Sequence, residues 1–506
     1  MKVLRALALF SAIFFSQEVF SQKIVYSEPD KDDIRRMNFE IIGKVSGNFL
    51  IYKSLRADNY IAVYDNDMKM IAREEHNYLP DERLINVDFF PYADHSYMVY
   101  QYQKRNVVYC QAVKIDGMGR RASEVIHLDT THISFTANNR IYSVVSSEDK
   151  SHLMVFKVNS RDRSKYIITT NLFDDQLNHK KRARFVINMD ENRDYLDEFN
   201  VDNDGDFVFT RFNRTSNESI ESAQIIWKPA TADSIIVVDV PHEKIWLDEP
   251  HLKVDNVNKR YFLTSFYYKE RRGNIDGFFF YVWDKGSRAP AMQNSISLGE
   301  ELRKEARNGN NLRMAFNDYF VRNVIVKRDG GFIINSEAYY TTSRFNSWNR
   351  WGYLYGPNNR YDYLSMSPMY NSWFWRNRFT GPGGQPVRHH ADNITVLSFD
   401  KEGKIEWSNV IHKEQYDDES DDRISYQVMN TGSQIHYLFN MDEKRALLLN
   451  DYTLTPDGQM NRNPTLKNLD RGYEFLPKYA KQVSARQMIM PCFHRNYICF
   501  AKIEYN

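Results

Sequence analysis

The acidic and histidine residues are the first candidates for chemistry, since paired carboxylates serve general acid–base catalysis and imidazoles bind metals. An acidic run at 416–423 places five acids in six positions, where it could hold a cation or form a solvated loop. The solvated loop is the favoured interpretation, also for the acidic stretch at 190–198. His389 and His390 are adjacent, so in a strand they point to opposite faces. No metal site is predicted from these residues.

Signature motifs of common enzyme classes are absent from the chain. No G-x-S-x-G, H-E-x-x-H, Walker loop or G-x-G-x-x-G occurs. The segment 201–207 resembles a calcium loop, but its Gly follows the second Asp and no Glu stands six residues beyond that Gly. A tight turn between two strands is the favoured interpretation, because Asp-Gly suits the positive φ angles of hairpin turns.

The three cysteines, Cys110, Cys492 and Cys499, lack metal-site spacing and are too few for a disulfide framework. A two-residue turn at 495–496 would place Cys492 directly opposite Cys499 in a hairpin. A disulfide between these two is one expectation, and a pair of buried thiols is the other. Cys110 is left unpaired in either case.

One segment, 341–390, has a composition unlike the rest of the chain. Twelve of its 50 residues are aromatic, and six Arg against a single Asp give it a net charge of +5. Aromatic rings provide contact area and stack on sugars, while Arg donates several hydrogen bonds, as in binding loops. Its candidate ligand-binding residues are Trp348, Arg350, Trp351, Tyr353, Tyr355, Trp373, Trp375 and Arg376. A lid that buries its own aromatic residues and a disordered tract are the alternatives.

The elements that position this segment have the hydrophobic pattern of β-strands. Short apolar or alternating runs, such as 49–53, 97–101 and 278–283, are bounded by polar turn residues. The best helix candidate is 298–314, and Gly309 interrupts it. The chain is therefore predicted to be all-β.

Turns containing Asp-Gly recur along the chain, and their spacings fit a repeat of about 60 residues, which is typical of a β-propeller. Eight inner strands, taken as one per repeat, are predicted near residues 48, 96, 139, 206, 261, 331, 435 and 488. The pattern favours eight blades, with 341–390 inserted in the sixth. Seven blades with an irregular segment, or two stacked β-domains, are the alternatives. The strand at 23–27 is expected to complete the last sheet.

Charge and the N-terminal sequence restrict the partners and the location. Lys and Arg total 67 against 66 Asp and Glu, and a net charge of +1 gives no electrostatic basis for binding nucleic acid. Residues 1–21 have the positive start, short apolar run and small residues of a signal peptide, and no later segment is apolar enough to span a membrane. We expect one domain over 22–506, exported to the periplasm or the cell exterior.

Two segments, 324–334 and 396–407, each place a Gly-containing turn between strands and resemble repeats of secreted bacterial β-propellers. The C-terminal stretch 481–503 resembles an uncharacterised family of such exported proteins with no assigned activity. The resemblance implies a fold but no catalytic residues and no cofactor. We expect a non-enzymatic binding or scaffold propeller that recognises a protein or glycan through 341–390 and one face. The alternative is an exported propeller enzyme that acts on glycans or uses a quinone cofactor.

Overall fold

Strands dominate the computed structural model, and its helices are short. The structure describes residues 22–505 except 36, 56–57, 81–83, 135–139, 163, 191–192, 215–218, 243, 272, 308–310, 344–347, 356–386, 419, 444–445 and 465–471. Within these ranges the helices are α1 (Glu300–Ala306) and α2 (Arg350–Tyr355), with 3-10 turns at Leu312–Met314 and Pro477–Tyr479. The helical segment predicted over 298–314 thus contains α1 and the first 3-10 turn.

Antiparallel sheets follow one another along the described chain, and nearly all are built from strands consecutive in sequence. The first strand, β1 (Lys23–Tyr26), is the exception because it joins the last sheet. Sheet 1 contains β2 (Asn38–Val45), β3 (Asn48–Leu55), β4 (Asp58–Tyr64) and β5 (Met70–Glu75). Sheet 2 contains β6 (Leu84–Pro91), β7 (His95–Lys104), β8 (Val107–Asp116) and β9 (Ile126–His132). Sheet 3 contains β10 (Ser143–Ser146), β11 (His152–Asp162), β12 (Lys165–Asp174) and β13 (His179–Asn188).

Sheet 4 is larger and falls into two halves, 4A and 4B. Half 4A contains β14 (Asp194–Val201), β15 (Phe207–Arg214), β16 (Ile220–Lys228) and β17 (Ile236–Val240). Half 4B contains β18 (Trp246–Leu247), β19 (His251–Asp255), β20 (Arg260–Tyr268), β21 (Gly277–Asp284) and β22 (Ala289–Ser297). The two halves are joined through one residue pair, Ile220 opposite Leu247.

Three further sheets complete the chain. Sheet 5 contains β23 (Tyr319–Val326), β24 (Phe332–Thr342), β25 (Arg388–Phe399), β26 (Ile405–Ile411) and the short β27 (Tyr416–Asp417). Sheet 6 contains β28 (Tyr426–Asn430), β29 (Ile435–Glu443), β30 (Ala446–Leu454) and β31 (Met460–Arg462). Sheet 7 contains β32 (Tyr473–Phe475), β33 (Lys481–Ser484), β34 (Gln487–His494), β35 (Tyr497–Glu504) and β1.

The N-terminal strand closes the last sheet. β1 pairs antiparallel with β35, from Lys23 opposite Glu504 to Tyr26 opposite Ala501. The prediction that this strand completes the final sheet is confirmed. The pairing covers the edge that β35 would otherwise expose, so the first and last described strands are held together by one ladder.

Apolar side chains fill the space between each sheet and the next. Clusters join sheets 1 and 2, 2 and 3, 3 and 4A, 4A and 4B, 4B and 5, 5 and 6, 6 and 7, and finally 7 and 1. Each sheet therefore packs between two neighbours, and the last sheet packs against the first. This is the packing that the blades of a β-propeller have.

The inner edge of the ring is formed by strands that contact one another from sheet to sheet. They are the first strands of sheets 1, 2, 3, 4A and 5, together with β19 of half 4B and β33 of sheet 7. β33, β2 and β6 contact one another in series, and so do β10, β14, β19 and β23, whereas last strands such as β5 and β22 are exposed. The positions predicted as inner strands mostly fall on second strands instead, for example residue 48 in β3 and residue 435 in β29. Second strands are paired on both sides and almost wholly buried, so their apolar runs are the most conspicuous in the sequence.

Candidate functional site

Charged side chains from sheets 4A, 4B and 5 meet at the inner edges of these sheets. Glu198 lies on β14, Glu249 and His251 lie at the start of β19, and Arg322 lies on β23. Their side chains are 28%, 21%, 22% and 27% exposed, although protein surrounds them. These side chains are thus partly exposed, while the facing atoms Glu249 Oε2 and His251 Nε2 are themselves buried. We call Glu198, Glu249, His251 and Arg322 the inner cluster.

His251 lies between the two glutamates of the inner cluster. Its Nδ1 is 2.8 Å from Glu198 Oε1, and its Nε2 is 3.4 Å from Glu249 Oε2. Burial lowers the pKa of His251, but the charges and hydrogen bonds of Glu249 and Glu198 outweigh it and raise the pKa well above its ordinary value. The imidazole is therefore protonated at neutral pH and links sheets 4A and 4B.

The backbone at Glu198 is in a conformation that non-glycine residues rarely adopt. Its φ is +55°, and the pairing of β14 with β15 shifts between Asp197 and Asn200, where the strand bulges. Such a conformation costs about 1–3 kcal/mol and is common at functional sites. Burial and the neighbouring Glu198 charge raise the pKa of Asp197 to about 7. One carboxyl beside the inner cluster thus titrates near neutral pH.

Arg322 connects the inner cluster to a buried carboxylate on β24. Its Nε lies 3.3 Å from Glu337 Oε2, and Lys413 Nζ lies 2.9 Å from Glu337 Oε1. The Ser425 hydroxyl also donates to Glu337, over 2.6 Å. Burial raises the pKa of Glu337, but Lys413 and Arg322 outweigh it, so the pKa is lowered overall. Glu337 is ionised and holds the Arg322 side chain at the inner edge.

The described part of the insertion is fixed beside the inner cluster by a buried ion pair. Arg350, the first residue of α2, binds Asp248 through both Nε and a terminal nitrogen, with Nε 3.2 Å from each carboxylate oxygen. Asp248 is fully buried and also accepts a hydrogen bond from the Tyr268 hydroxyl. Because Asp248 directly precedes Glu249, this ion pair holds α2 next to the inner cluster.

Two predicted binding residues of the insertion pack against sheet 5. The Trp348 indole donates to Asp318 over 3.0 Å, and its ring contacts Phe320 and Tyr339. The Tyr353 ring lies 5.2 Å from each of the same two rings. These contacts give the insertion an aromatic base on the face where β24 ends and β25 begins.

The other predicted binding residues fall in three groups. Trp351 is half-buried between sheets 4B and 5, and Arg350 is only 8% exposed because it pairs with Asp248. Tyr355 is the last residue of α2. Trp373, Trp375 and Arg376 lie outside the described residues. A direct role in ligand binding stays a prediction for all of them, and Arg350 has a visible anchoring role.

The insertion is slightly shorter than the sequence predicted. β24 extends to Thr342 and β25 begins at Arg388, and these two residues are cross-strand partners. The predicted bounds of 341–390 therefore include residues that belong to the ladder. The last pair of the ladder, Thr342 and Arg388, therefore brackets residues 343–387.

Two clefts open on the same side of the ring as the insertion, where second strands connect to third strands, and both have mixed polar and apolar linings. One, of about 610 Å³, is lined by Asp194, Arg211 and Asn213, and Arg211 lies 2.6 Å from the Asp194 carboxylate. The other, of about 760 Å³, is lined by Trp246 and the connection from β17 to β18. Ser222 borders both clefts, so they are neighbours. Polar groups and one indole are thus available to a ligand beside the insertion.

The acidic run at 416–423 does not converge on a shared site in the structure. Asp417 pairs with Arg423 at 2.7 Å, and Asp421 pairs with Lys478 at 2.5 Å. Among the described residues, no group of three or more His, Cys, Asp or Glu side chains is arranged to hold a metal ion. These carboxylates fix the connection between sheets 5 and 6.

The adjacent histidines on β25 have separate partners. His389 Nδ1 lies 2.8 Å from the Tyr339 hydroxyl, and His390 Nε2 lies 3.0 Å from the Thr342 hydroxyl. The His390 ring also stacks on Tyr340 with the centroids 4.5 Å apart. The pair therefore supports the root of the insertion.

The predicted hairpin between the C-terminal cysteines is confirmed. Cys492 and Cys499 are direct cross-strand partners in β34 and β35, and Arg495 in the turn has a φ of +59°. Both residues, like Cys110, are buried free thiols in the structure. A disulfide between Cys492 and Cys499 stays a prediction.

Sequence reasoning missed most of the inner cluster. Asp197 and Glu198 were assigned to a solvated acidic stretch, which is wrong because they lie in β14. His251 and Glu249 carried no motif. The sequence feature that could have indicated an inner strand is the acidic pair at 197–198, which interrupts an otherwise strand-like run between Tyr195 and Val201. At an inner strand of a ring, such residues face water rather than a core.

No family model matches the chain, and no curated protein matches it. Solved structures similar to it include prolyl oligopeptidase B from Galerina marginata, with 8% identity and a TM-score of 0.41 over 91% of this chain and 55% of that one. The β-propeller domain of the Trilobed protease from Pyrococcus furiosus has 8% identity and a TM-score of 0.37, over 84% of this chain and 95% of that one. The polysaccharide lyase Uly1 has 7% identity and a TM-score of 0.33, over 83% and 90%. The chain spans about half the length of the oligopeptidase.

No helix among the described residues is long and apolar enough to cross a membrane.

Proposed function

We propose that this protein is an exported, non-enzymatic binding or scaffold propeller of eight blades. Its partner is a protein or glycan held at the face that carries the insertion. The count of eight takes halves 4A and 4B as separate blades. Each half has four main strands, and an apolar cluster lies between the two halves as it does between other neighbouring sheets. Export rests on the signal peptide predicted for residues 1–21.

The observation that carries the proposal is the attachment of the aromatic, Arg-rich insertion next to the inner cluster. The buried Arg350–Asp248 pair fixes α2 to sheet 4B, and Trp348 and Tyr353 pack on sheet 5. The described part of the insertion is therefore a rigid base beside the inner cluster. Binding sites built on rigid elements lose less entropy when a ligand is bound.

The chemistry of this face suits a partner with both flat apolar surfaces and polar groups. The insertion supplies aromatic rings and Arg, and the neighbouring clefts supply carboxylate, amide and guanidinium groups from Asp194, Asn213 and Arg211. Aromatic and Arg residues carry most of the binding energy at many protein interfaces, and rings also stack on sugars. A protein surface and a glycan both present these features.

The test replaces residues 343–387 by Asn-Gly. Thr342 and Arg388 are cross-strand partners, so a two-residue turn closes the ladder between β24 and β25 without strain. We expect the shortened protein to fold. In an affinity capture with purified components, it should no longer bind the partner that the full chain binds. Substitution of Lys304, which is exposed on α1, by Ala provides a control that keeps the face intact. Undiminished binding by the shortened protein would contradict the proposal.

A propeller enzyme is the second candidate, and the inner cluster is the observation that favours it. Glu198 and Glu249 converge on His251, and Asp197 has a pKa of about 7, which suits proton transfer near neutral pH. The measurement is hydrolysis or cleavage of polysaccharides by the full chain and by Glu198→Gln. Activity that the substitution abolishes would replace the binding proposal with an enzymatic one.

A further inference from the structure

The two clefts beside the insertion adjoin at Ser222 and together cross three sheets. Their volumes are about 610 and 760 Å³. The lining runs from sheet 3 through half 4A to half 4B, with Ser164 and Asn188 at one end and Trp246 and Lys269 at the other. We call the two clefts together the face groove. Its length over three sheets suits an extended ligand better than a compact one.

A buried carboxylate fixes the polar side chains of the first cleft. The Asp194 side chain is 3% exposed and accepts hydrogen bonds from Arg211 over 2.6 Å, from the Asn213 amide over 2.6 Å and from the Asp190 backbone N–H over 3.0 Å. Asp194 in turn holds Arg211 and Asn213 in one orientation. Side chains that are already ordered lose little entropy when a ligand binds them.

An indole is fixed in the second cleft. The Arg271 guanidinium lies 4.7 Å from the centre of the Trp246 ring, and Glu221 holds Arg271 at 2.9 Å. Trp246 also packs against the same apolar cluster as Trp351 of helix α2. The face groove therefore ends at the described base of the insertion.

Several hydrogen-bonding groups of the face groove have no partner among the described residues. These groups are the Asn188 amide, the Ser222 hydroxyl, the Lys244 ammonium and the Trp246 indole N–H. They are spread from sheet 3 to half 4B. Donors and acceptors are thus available along the whole groove rather than at one point.

The charges of the face groove nearly cancel. Its charged lining residues are four acids, Asp190, Asp194, Glu221 and Asp239, and three bases, Arg211, Lys244 and Lys269. Four negative against three positive charges give −1, so an acidic polymer meets no surplus of cations. The cores of protein interfaces are depleted in charged residues, unlike this lining. Sugar hydroxyls both donate and accept, so they can bond carboxylates, amides and ammonium groups alike.

We infer that the face groove binds an uncharged oligosaccharide chain, with Trp246 at the end nearest the insertion. The inference rests on the proposed function, which places the partner at this face, and it names a neutral glycan as that partner. The hydroxyl groups of successive sugar rings take up the free groups of Asn188, Ser222 and Trp246. The indole supplies the apolar contact that a sugar ring needs.

The test is affinity electrophoresis of the full chain in native gels that each contain one dissolved polysaccharide. The neutral probes are galactomannan, xyloglucan, mixed-linkage β-glucan and starch, and the acidic probes are polygalacturonate and alginate. We expect at least one neutral polymer to retard the protein, and the acidic polymers to retard it less. Ser222→Glu places a charge where the two clefts meet, and Trp246→Ala removes the indole. Each should weaken the affinity for the retarding polymer by at least about tenfold.

Trp407→Ala and Ser408→Glu are the matched controls, because both residues lie on β26 and line neither cleft. Trp407 is partly buried like Trp246, and Ser408 is exposed like Ser222. Retardation of these two variants should equal that of the wild type. Trp246→Phe keeps an aromatic ring beside Arg271 if the Ala variant fails to fold, and loss of the indole N–H should still weaken binding.

No retardation by a neutral polymer, stronger retardation by an acidic one, or retardation that either groove variant leaves unchanged would overturn the inference. The shortened protein without 343–387 keeps every lining residue of the face groove, so it separates this inference from the proposed function. Retardation of the shortened protein that Ser222→Glu abolishes would support the groove and contradict the role proposed for the insertion. Capture of a protein partner by a full chain that no neutral polymer retards would overturn the groove inference alone.

Discussion

His251 shows how charge is balanced at the ring centre. The imidazolium is held between Glu198 and Glu249, while Arg322 is held by Glu337 on the next sheet. Glu198 and Arg322 thus each pair with a residue of another strand, and Glu249 pairs with His251 two residues further along the chain. Partnered charges tolerate partial burial because attraction offsets the loss of hydration. These ion pairs therefore join sheet 4A to sheet 4B and β23 to β24, while the side chains of the inner cluster stay partly exposed.

The raised pKa of Asp197 predicts a pH-dependent stability. Its folded pKa is about 7 against a usual value of 3.8, so the native state binds more protons than the unfolded state between these values. The stability that this group contributes is present below about pH 4 and is lost as the pH rises through 7. We expect the free energy of unfolding of Asp197→Asn to fall less between pH 5 and pH 8 than that of the wild type, measured by urea titration.

Asp400→Asn is the control for that measurement. Asp400 lies in an exposed turn, where hydrogen bonds from the backbone of Lys404 and Glu402 lower its pKa. Its substitution should leave the decline between pH 5 and pH 8 unchanged. Parallel pH curves for wild type and Asp197→Asn would show that Asp197 does not titrate in this range.

At the scale of elements, helix α2 is held in place by the buried Arg350–Asp248 ion pair together with the packing of Tyr353 on sheet 5. Arg350 binds Asp248 and also lies 3.9 Å above the Phe320 ring. Asp248 is fully buried, so its charge would lack a cation if Arg350 were removed. A helix of six residues has little stability of its own, and tertiary contacts must hold it.

Arg350→Met is therefore expected to lower the free energy of unfolding by about 3–5 kcal/mol, because it leaves the Asp248 carboxylate buried without its partner. Urea titration measures this change. Arg388→Met is the matched control, since Arg388 and Asp418 form an ion pair that is about half exposed and screened by water, so its loss should lower the free energy of unfolding far less than Arg350→Met does. The double substitution Arg350→Met with Asp248→Asn should cost less than Arg350→Met alone. Equal effects of the two Arg substitutions would mean that the buried pair does not anchor α2.

Elements marked by a short apolar run beside turn residues could be predicted from the sequence. Elements whose environment depends on contacts with distant strands of the ring could not. The hairpin at Arg495 and the closing strand β1 follow from short apolar runs beside turn residues. The acidic residues 197–198 suggest a loop by composition, yet they lie in an inner strand. Their environment is set by strands about 50 and 125 residues away in sequence, those of His251 and Arg322, and a single sequence does not report such contacts.

At the scale of the whole molecule, sheets that follow one another along the chain are also neighbours in space. Each sheet shares an apolar cluster with the sheet before and the sheet after it, and sheet 7 shares one with sheet 1. Lys481 Nζ also donates to the backbone carbonyls of Ile41 and Ile42, over 3.0 and 3.1 Å, and so joins the inner strands of these two sheets. Every sheet among the described residues therefore packs against a neighbour on both sides.

A closed ring predicts that the position of the chain ends is not important for folding. Lys23 lies opposite Glu504, so a short turn can join the two ends, and new ends can be opened within 356–386. We expect this circular permutant to have the circular dichroism of the wild type and one thermal transition within a few degrees of it, because every sheet keeps both neighbours.

A second permutant, opened between Thr169 and Thr170, gives the contrast. Both residues are 4% exposed in the middle of β12, which pairs with a strand on each side. Opening the chain there interrupts a central strand of sheet 3 and two apolar interfaces, so this protein should fail to fold or should melt far lower. If the two permutants were equally stable, or if the first melted in two separate steps, the sheets would not form one cooperative ring, and a pair of independent β-domains would explain the unfolding better.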